Sequence, residues 1–232
     1  MYNNFDNNYS GTNSITKVMY KVYAWMGAAL AITAATAYGV YSHTPLFTAL
    51  VTNKLLYLGL ILTQFALVLA LSFFLKKMSF GSAALAYIVY AITSGATLSV
   101  IFALYQLPSI VTILCVTMAM FFVMALYGYY TKADLTSMGN IMLIALFGFI
   151  IASVVNMFLH NSMLELFCAW LGVIIFTGLI AYDTQKIKDI SANMIEQGEP
   201  TNKIALFGAL TLYLDVVNLF LSLLRLFGKK KD

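Results

Sequence analysis

Two aspartates inside long apolar stretches are the first candidates for chemistry in this 232-residue chain. Asp183 lies near the end of one stretch, and Asp215 lies in the middle of the last one. An ionisable side chain at the centre of a bilayer costs roughly 2.5–3.5 kcal/mol on insertion scales, so one that is retained marks a functional position. Two carboxylates in a low-dielectric site cannot both ionise cheaply. We therefore predict that this pair shares a proton and forms a pH switch, although Asp183 alone could simply mark the membrane boundary.

The last apolar stretch also carries a polar stripe along one helical face. Its members are separated by three or four residues: Gly208, Thr211, Asp215, Asn218, Ser222 and Arg225. Such a stripe can line an ion pathway, with Asp215 at its centre. It can also be a seam of small and polar residues that packs one helix against another. The acid favours the pathway, since a packing seam needs Ser or Thr rather than Asp.

Few other residues suggest chemistry. Lys77 ends the second apolar stretch and could reach the acid pair, or it could anchor that stretch at the membrane surface. Cys115 and Cys168 lie in apolar runs, where thiols commonly serve as packing residues. The sequence has no His-rich metal-ligand spacing, no phosphate-binding glycine loop and no nucleophile elbow. We therefore expect neither an enzyme nor a bound cofactor.

Seven apolar stretches are long enough to cross a bilayer as helices. They comprise residues 23–41, 55–75, 83–105, 110–130, 141–159, 164–187 and 204–227. Uninterrupted apolar runs exclude the alternating strands of a barrel, so we predict an all-α, polytopic membrane protein. Its transmembrane domain would cover residues 23–228, between a polar N-terminal tail (1–22, disordered over 2–13) and a basic C-terminal tail (229–232). We expect the longest connection, residues 188–203, to be an aqueous loop.

The composition supports this class. Hydrophobic residues make up 62% of the chain and charged residues 9%, and the mean hydropathy is +0.88. Soluble domains are about 45–50% apolar and about 25% charged. So few charges could not cover a surface in water, which excludes a soluble enzyme and a disulfide-rich secreted module. The basic residues are not clustered among aromatic ones, which excludes nucleic-acid binding.

The distribution of Lys and Arg predicts the orientation. One side of the membrane collects Lys17, Lys21, Lys76, Lys77, Lys132, Lys186, Lys188 and Lys203. This side would be the cytoplasm, with the N-terminus. Arg225 and the lysines at 229–231 would then lie outside if all seven stretches cross. Alternatively, the last stretch is re-entrant and both ends are cytoplasmic; we favour seven crossings.

Three segments together resemble the Bax inhibitor-1 family, which comprises the TMBIM proteins and their bacterial relatives. The first is YGYYTKADLTSMG, at residues 127–139. The second is AYDTQKI at 181–187, and the third is YLDVVNLF at 213–220, continuing to Arg225. All three occur in order and at the matching stretches, so the resemblance covers about residues 17–228.

The resemblance implies a seven-helix fold with the last helix central and a pH-sensitive calcium leak in a bacterial inner membrane. It also implies that Asp183 and Asp215 are the pore's paired-carboxylate sensor and that Lys77 latches onto them. Some relatives have Arg at that position, and Lys offers a point charge instead of a bidentate fork, so the latch would be weaker here. Some relatives have an acid inside the second stretch, where this chain has only Gln64. Two carboxylates are too few to bind Ca²⁺ tightly, so binding would be weak and transient.

Two alternatives come from other classes. The serious one is a non-transporting regulator that binds a membrane-anchored ATP-dependent protease or other membrane partners, through the Asn-rich tail or residues 188–203. The other is an intramembrane aspartyl protease, of whose motif Tyr182-Asp183 is a fragment. Asp215 follows Tyr213-Leu214, however, where those enzymes have Gly-x-Gly.

Overall fold

The computed structural model describes residues 3–75, 77–197 and 200–231, with the backbone alone for residues 3–13. Over these residues the chain forms nine α-helices: α1 (Asn3–Ser42), α2 (Thr44–Thr52), α3 (Lys54–Phe74), α4 (Phe80–Leu98), α5 (Val100–Leu104), α6 (Leu107–Tyr130), α7 (Thr136–Leu159), α8 (Ser162–Glu196) and α9 (Thr201–Phe227). Seven spans are long and apolar enough to cross a membrane, with α4 and α5 forming one of them. The predicted all-α, seven-span fold is confirmed.

Helix α9 is the most deeply buried of the described spans. Buried residues make up 61% of its most apolar stretch, compared with 39% in α8 and 0% in α7. An apolar helix that other helices cover on most sides is a core helix, whereas the most apolar stretch of α7 contains no buried residue. The last helix is therefore the most covered of the described spans, in line with the central helix that the resemblance implies.

The chain divides into two compact units. The first comprises Met1–Leu104 and Asp189–Leu210. In it, α4 packs against both α1 and α3. The contact with α1 is close because Gly95 has no side chain: a Cβ there would lie 2.5 Å from the carbonyl oxygen of Thr33. Thr33 Oγ1 also donates a hydrogen bond to the carbonyl oxygen of Ala91, at 3.0 Å.

The second unit comprises Tyr105–Lys188 and Thr211–Asp232. Here α7 packs on α8 through an edge-on contact between the Phe149 and Phe176 rings, whose centroids are 5.8 Å apart. The segment after α9 is held to the start of α6, because the backbone N–H of Gln106 donates to the carbonyl oxygen of Lys229 at 2.9 Å. The predicted basic tail is thus attached to the helical domain over its described residues.

Two predicted boundaries change. Helix α8 continues to Glu196, so the prediction of an aqueous loop over residues 188–203 is wrong; Gly198 and Glu199 lie outside the described residues. No Gly or Pro interrupts residues 188–197, and the buried Ile187 and Ser191 continue one helical face. Helix α1 likewise reaches back to Asn3, into the segment predicted to be a disordered tail.

Candidate functional site

The two predicted aspartates lie together in the second unit. Helix α8 carries Asp183 and helix α9 carries Asp215, and their carboxyl groups are within hydrogen-bonding reach of each other. Asp215 is only 5% exposed, and Asp183 is half-buried. Such a pair can hold one proton between two oxygens, which removes the repulsion that two buried carboxylates would otherwise suffer.

One oxygen of this pair is left over. Asp215 Oδ2 is buried and has no hydrogen-bond partner within the described part of the chain. The hydroxyl oxygen of Thr184, the residue after Asp183, is also buried and has no hydrogen-bond partner among the described residues. Buried polar atoms are nearly always hydrogen-bonded, so an unpartnered carboxyl oxygen indicates a place for a proton, a water molecule or an ion.

A cation lies near the exposed side of the pair. Lys186, which is exposed and three residues after Asp183 on α8, acts electrostatically on that carboxyl group. Its ammonium group also stands 5.3 Å from the centroid of the Tyr182 ring. The charge around the pair therefore includes one lysine besides the two aspartates. Sequence reasoning treated that lysine only as a marker of orientation.

The rest of the predicted stripe on α9 divides into two kinds of environment. Asn218 Nδ2 donates to the carbonyl oxygen of Leu214, and Ser222 Oγ donates to that of Asn218, each at 2.8 Å. Ser222 is buried against Gly172 of α8, where an added Cβ would lie 3.2 Å from the Ser222 Cβ. At this level the stripe is the packing seam that the sequence also allowed. A pore-lining role for Thr211, Asn218, Ser222 and Arg225 stays a prediction.

Arg225 is exposed at the end of α9. It acts on Tyr105, which precedes α6: burial raises the pKa of the Tyr105 hydroxyl, and the positive charge of Arg225 partly opposes that effect. Arg225, near the C-terminal end of α9, is thus associated with the connection that precedes α6.

Sequence reasoning missed the residue that joins α8 to the turn between α6 and α7. Gln185 Nε2 donates to the carbonyl oxygen of Ala133, and Gln185 Oε1 accepts from the amide of Leu135, both at 2.9 Å. We call these two bonds the Gln185 clasp. The side chain satisfies one backbone acceptor and one backbone donor in a turn where neither has a helical partner. Nothing in the sequence pattern distinguishes this glutamine from a surface residue.

Close backbone packing accompanies the clasp. Gly128 of α6 lies against Ala181, so that an added Cβ would be 2.9 Å from the Ala181 carbonyl carbon, and Gly139 of α7 lies against the ring of Tyr182. Lys188 Nζ donates to the carbonyl oxygen of Tyr129 at 2.8 Å. A cation at the last carbonyls of a helix is favourable because it opposes the helix dipole. Lys188 therefore stabilises the end of α6.

These contacts bring together the three segments that carried the family resemblance. Residues 127–139 pack on residues 181–188, and Asp183 in the second segment meets Asp215 in the third. The position of Asp183 is thus fixed, because neighbouring segments hold the backbone on either side of it.

The remaining candidates lie elsewhere. Lys77 is exposed between α3 and α4 and belongs to the first unit, so its latch role stays a prediction; Lys76 is outside the described residues. Gln64 Nε2 donates to the Thr93 carbonyl oxygen and to Thr97 Oγ1, each at 3.2 Å, which joins α3 to α4. The described residues contain no group of three or more His, Cys, Asp or Glu side chains that could hold a metal ion.

Comparison with known proteins gives the family. A family model described as "Inhibitor of apoptosis-promoting Bax1" matches residues 15–232. The chain belongs to the Bax inhibitor family. Among other members of this family, it is 42% identical over 215 residues to the inner membrane protein YbhL of Escherichia coli (strain K12), covering 92% of each chain. It is 40% identical over 216 residues to a protein of Borreliella burgdorferi, covering 93% of each. The resemblance drawn from the three segments is confirmed.

Proposed function

We propose that this Bax inhibitor family member is a pH-sensitive calcium leak channel, with Asp183 and Asp215 as its proton sensor and cation-attracting site. The single observation that supports this most is the buried pair itself. Two acids, one on each of two apolar spans, lie side by side. One oxygen of Asp215 has no hydrogen-bond partner among the described residues. A purely structural contact would leave no reason to keep both acids in a place where ionisation is costly.

The chemistry follows from charge. When both carboxyl groups are ionised, the pair carries two negative charges and attracts a cation. Ca²⁺ takes 6–8 oxygen ligands, and two carboxylates supply at most about four, so the ion would keep part of its water shell and bind weakly. Weak binding suits conduction, because an ion that binds tightly does not leave. A proton on the pair lowers this attraction and makes the leak depend on pH.

Lys77 is the proposed competitor of calcium. If its ammonium group reaches the ionised pair, it occupies the position that the cation needs and closes the path. Protonation of the pair weakens the attraction for both, so the balance between the latched and open forms shifts with pH. A lysine holds a carboxylate through a point charge, and we therefore expect a looser latch than an arginine would make.

The membrane and the orientation are part of the proposal. YbhL is an inner membrane protein by name, which supports an inner-membrane location for this chain. The lysines at the ends of the spans support a cytoplasmic N-terminus. With seven crossings, Arg225 and the lysines after it then lie on the opposite side.

The test is calcium flux into proteoliposomes that contain the purified protein. Flux is measured with a trapped calcium dye from about pH 5 to about pH 8, an interval that includes physiological pH. We expect Asp215→Asn to change both the flux and its pH dependence. Asp189→Asn is the matched control, because Asp189 is an exposed aspartate on the same helix as Asp183, and it should behave as the wild type.

Two results would overturn the proposal. One is an Asp215→Asn variant that keeps the wild-type flux and pH response while its circular dichroism shows a folded protein. The other is a folded wild-type protein with no flux at any pH; if that protein also co-purified with a membrane-anchored ATP-dependent protease, it would be the non-transporting regulator.

A further inference from the structure

A groove in the first unit lies where three spans have their ends. It is bounded by residues 14–21 of α1, the end of α8 and the start of α9, and its volume is about 760 Å³. By the sequence, the apolar spans begin at residue 23 in α1 and at residue 204 in α9, and the groove is lined by residues shortly before each of these starts, including Lys21 and Thr201. The groove is therefore at the depth of the lipid headgroups.

Two lysines supply positively charged hydrogen-bond donors to the groove. Lys17 and Lys21 line it from α1, and residues four apart lie on the same helical face. Lys21 Nζ donates to Asn202 Oδ1 at 2.7 Å, which aims this ammonium group at the first turn of α9. An ammonium group has three N–H donors, so the bond to Asn202 leaves others available for a ligand.

The start of α9 adds a second source of positive potential. The first backbone N–H groups of a helix have no acceptor within the helix, and they form the positive end of its dipole. Thr201, the first residue of α9, lines the same groove. Two ammonium groups and a helix start that meet in one groove are a combination that suits a phosphate group.

Apolar and aromatic side chains also line the groove. Val18 and Ile195 line it, and Tyr20 lines it with a ring that is 74% exposed. Tyrosine is enriched at the membrane–water interface, where its ring contacts lipid and its hydroxyl group contacts water. Glu196, the residue after Ile195, is exposed and is not among the lining residues. A ligand that fits both the cationic and the apolar lining residues has a phosphate next to apolar chains.

We propose that this groove binds the phosphate group of an anionic phospholipid. Lys17 and Lys21 hold the phosphate together with the first turn of α9, and the lipid's glycerol and upper acyl chain lie along Val18, Tyr20 and Ile195. The lipid thereby joins α1 to the ends of α8 and α9. A free phosphate ion would satisfy the donors but would leave the apolar lining residues uncovered.

The experiment measures lipid binding to the full-length protein in detergent by native mass spectrometry and by the shift of its melting temperature. The probes are a phosphatidylglycerol, a phosphatidylcholine with the same acyl chains, and inorganic phosphate. We expect the phosphatidylglycerol to bind and to raise the melting temperature more than either of the other two. The Lys17→Gln/Lys21→Gln variant should lose this binding by about tenfold or more, as expected when charge-assisted hydrogen bonds are removed.

A matched control and a second variant keep the result interpretable. Lys54→Gln/Lys132→Gln removes two exposed lysines at the ends of other helices and should bind phosphatidylglycerol as the wild type does. If the first double variant does not fold, Lys17→Gln alone keeps the bond between Lys21 and Asn202 and should still weaken binding. Equal binding of both lipids, equal binding by the groove and control variants, or inorganic phosphate that binds as strongly as the lipid would each overturn the proposal.

Discussion

The contact of Gly128 with α8 allows one substitution to be worked through in detail. In Gly128→Ala, the new Cβ would lie 2.9 Å from the carbonyl carbon and 3.0 Å from the Cα of Ala181, and closer still to its carbonyl oxygen, whereas ordinary contacts are 3.4–4 Å. The obstacle is backbone, which cannot rotate away. Helices α6 and α8 must therefore separate locally by about half an ångström or more, and overpacking of this kind costs roughly 1–3 kcal/mol.

The helix preference of alanine acts in the opposite direction to the overpacking. Alanine is favoured over glycine in a helix interior by about 1 kcal/mol, so the net loss in the free energy of unfolding should be up to about 2 kcal/mol. Gly148→Ala is the matched control. Gly148 is in α7, and an added Cβ there meets nothing within 4 Å, so this variant gains the helix preference without a clash.

The assay is thermal unfolding in detergent, followed by circular dichroism, with both variants and the wild type side by side. We expect the melting temperature to fall for Gly128→Ala and to stay level or rise for Gly148→Ala. Ala181 is two residues before Asp183, so the same displacement should alter the pH profile of calcium flux in Gly128→Ala alone. A Gly128→Ala protein as stable as Gly148→Ala would refute the packing argument.

Three further predictions concern the surroundings of the site. Gln185→Leu removes both bonds of the Gln185 clasp and should lower the free energy of unfolding by about 1–3 kcal/mol in chemical denaturation. Gln185→Glu keeps an acceptor for the Leu135 backbone amide, so its free energy of unfolding should fall by less. Equal losses in the two variants would contradict the clasp. Hydrogen bonds from the Thr136 side chain and backbone lower the pKa of Asp134, so its stabilising effect is complete above the ordinary carboxyl pKa of 3.8 and is lost as the pH falls through the lowered value. Asp134→Ala should therefore melt below the wild type at neutral pH and together with it near about pH 2, and a gap that persists in acid would count against this. Ser222→Ala should be nearly neutral in thermal unfolding, because the Ser222 hydroxyl group donates to a carbonyl oxygen of its own helix, whereas Ser222→Leu should destabilise by roughly 1–3 kcal/mol against Gly172; equal melting would mean that the seam is not closely packed.

The amino-acid sequence by itself determined the class of protein, the number of spans and the two residues that matter most for the proposed function. These conclusions depend on properties of single segments. An apolar run long enough to cross a bilayer is recognisable wherever its neighbours lie, and an acid such as Asp215 is conspicuous in that run because lipid penalises it. The family could be recognised for the same reason, from three short local segments.

The helix boundaries were less predictable. Hydropathy ended the sixth span near residue 187, whereas α8 continues to Glu196. Hydropathy measures how well a segment dissolves in lipid, but a helix ends where hydrogen bonding or backbone geometry stops it. Residues 188–197 contain no Gly or Pro, so the helix continues out of the apolar region with Ser191 still buried.

Only the tertiary structure decided which residues meet. Periodicity places Asp215 and Ser222 on one face of α9, but it cannot say that Ser222 packs on Gly172 while Asp215 meets Asp183. The Gln185 clasp joins residues about fifty positions apart, and a glutamine has the same local appearance whether it faces water or holds a turn. Contacts of this kind depend on how helices pack against each other, which the pattern within one helix does not specify.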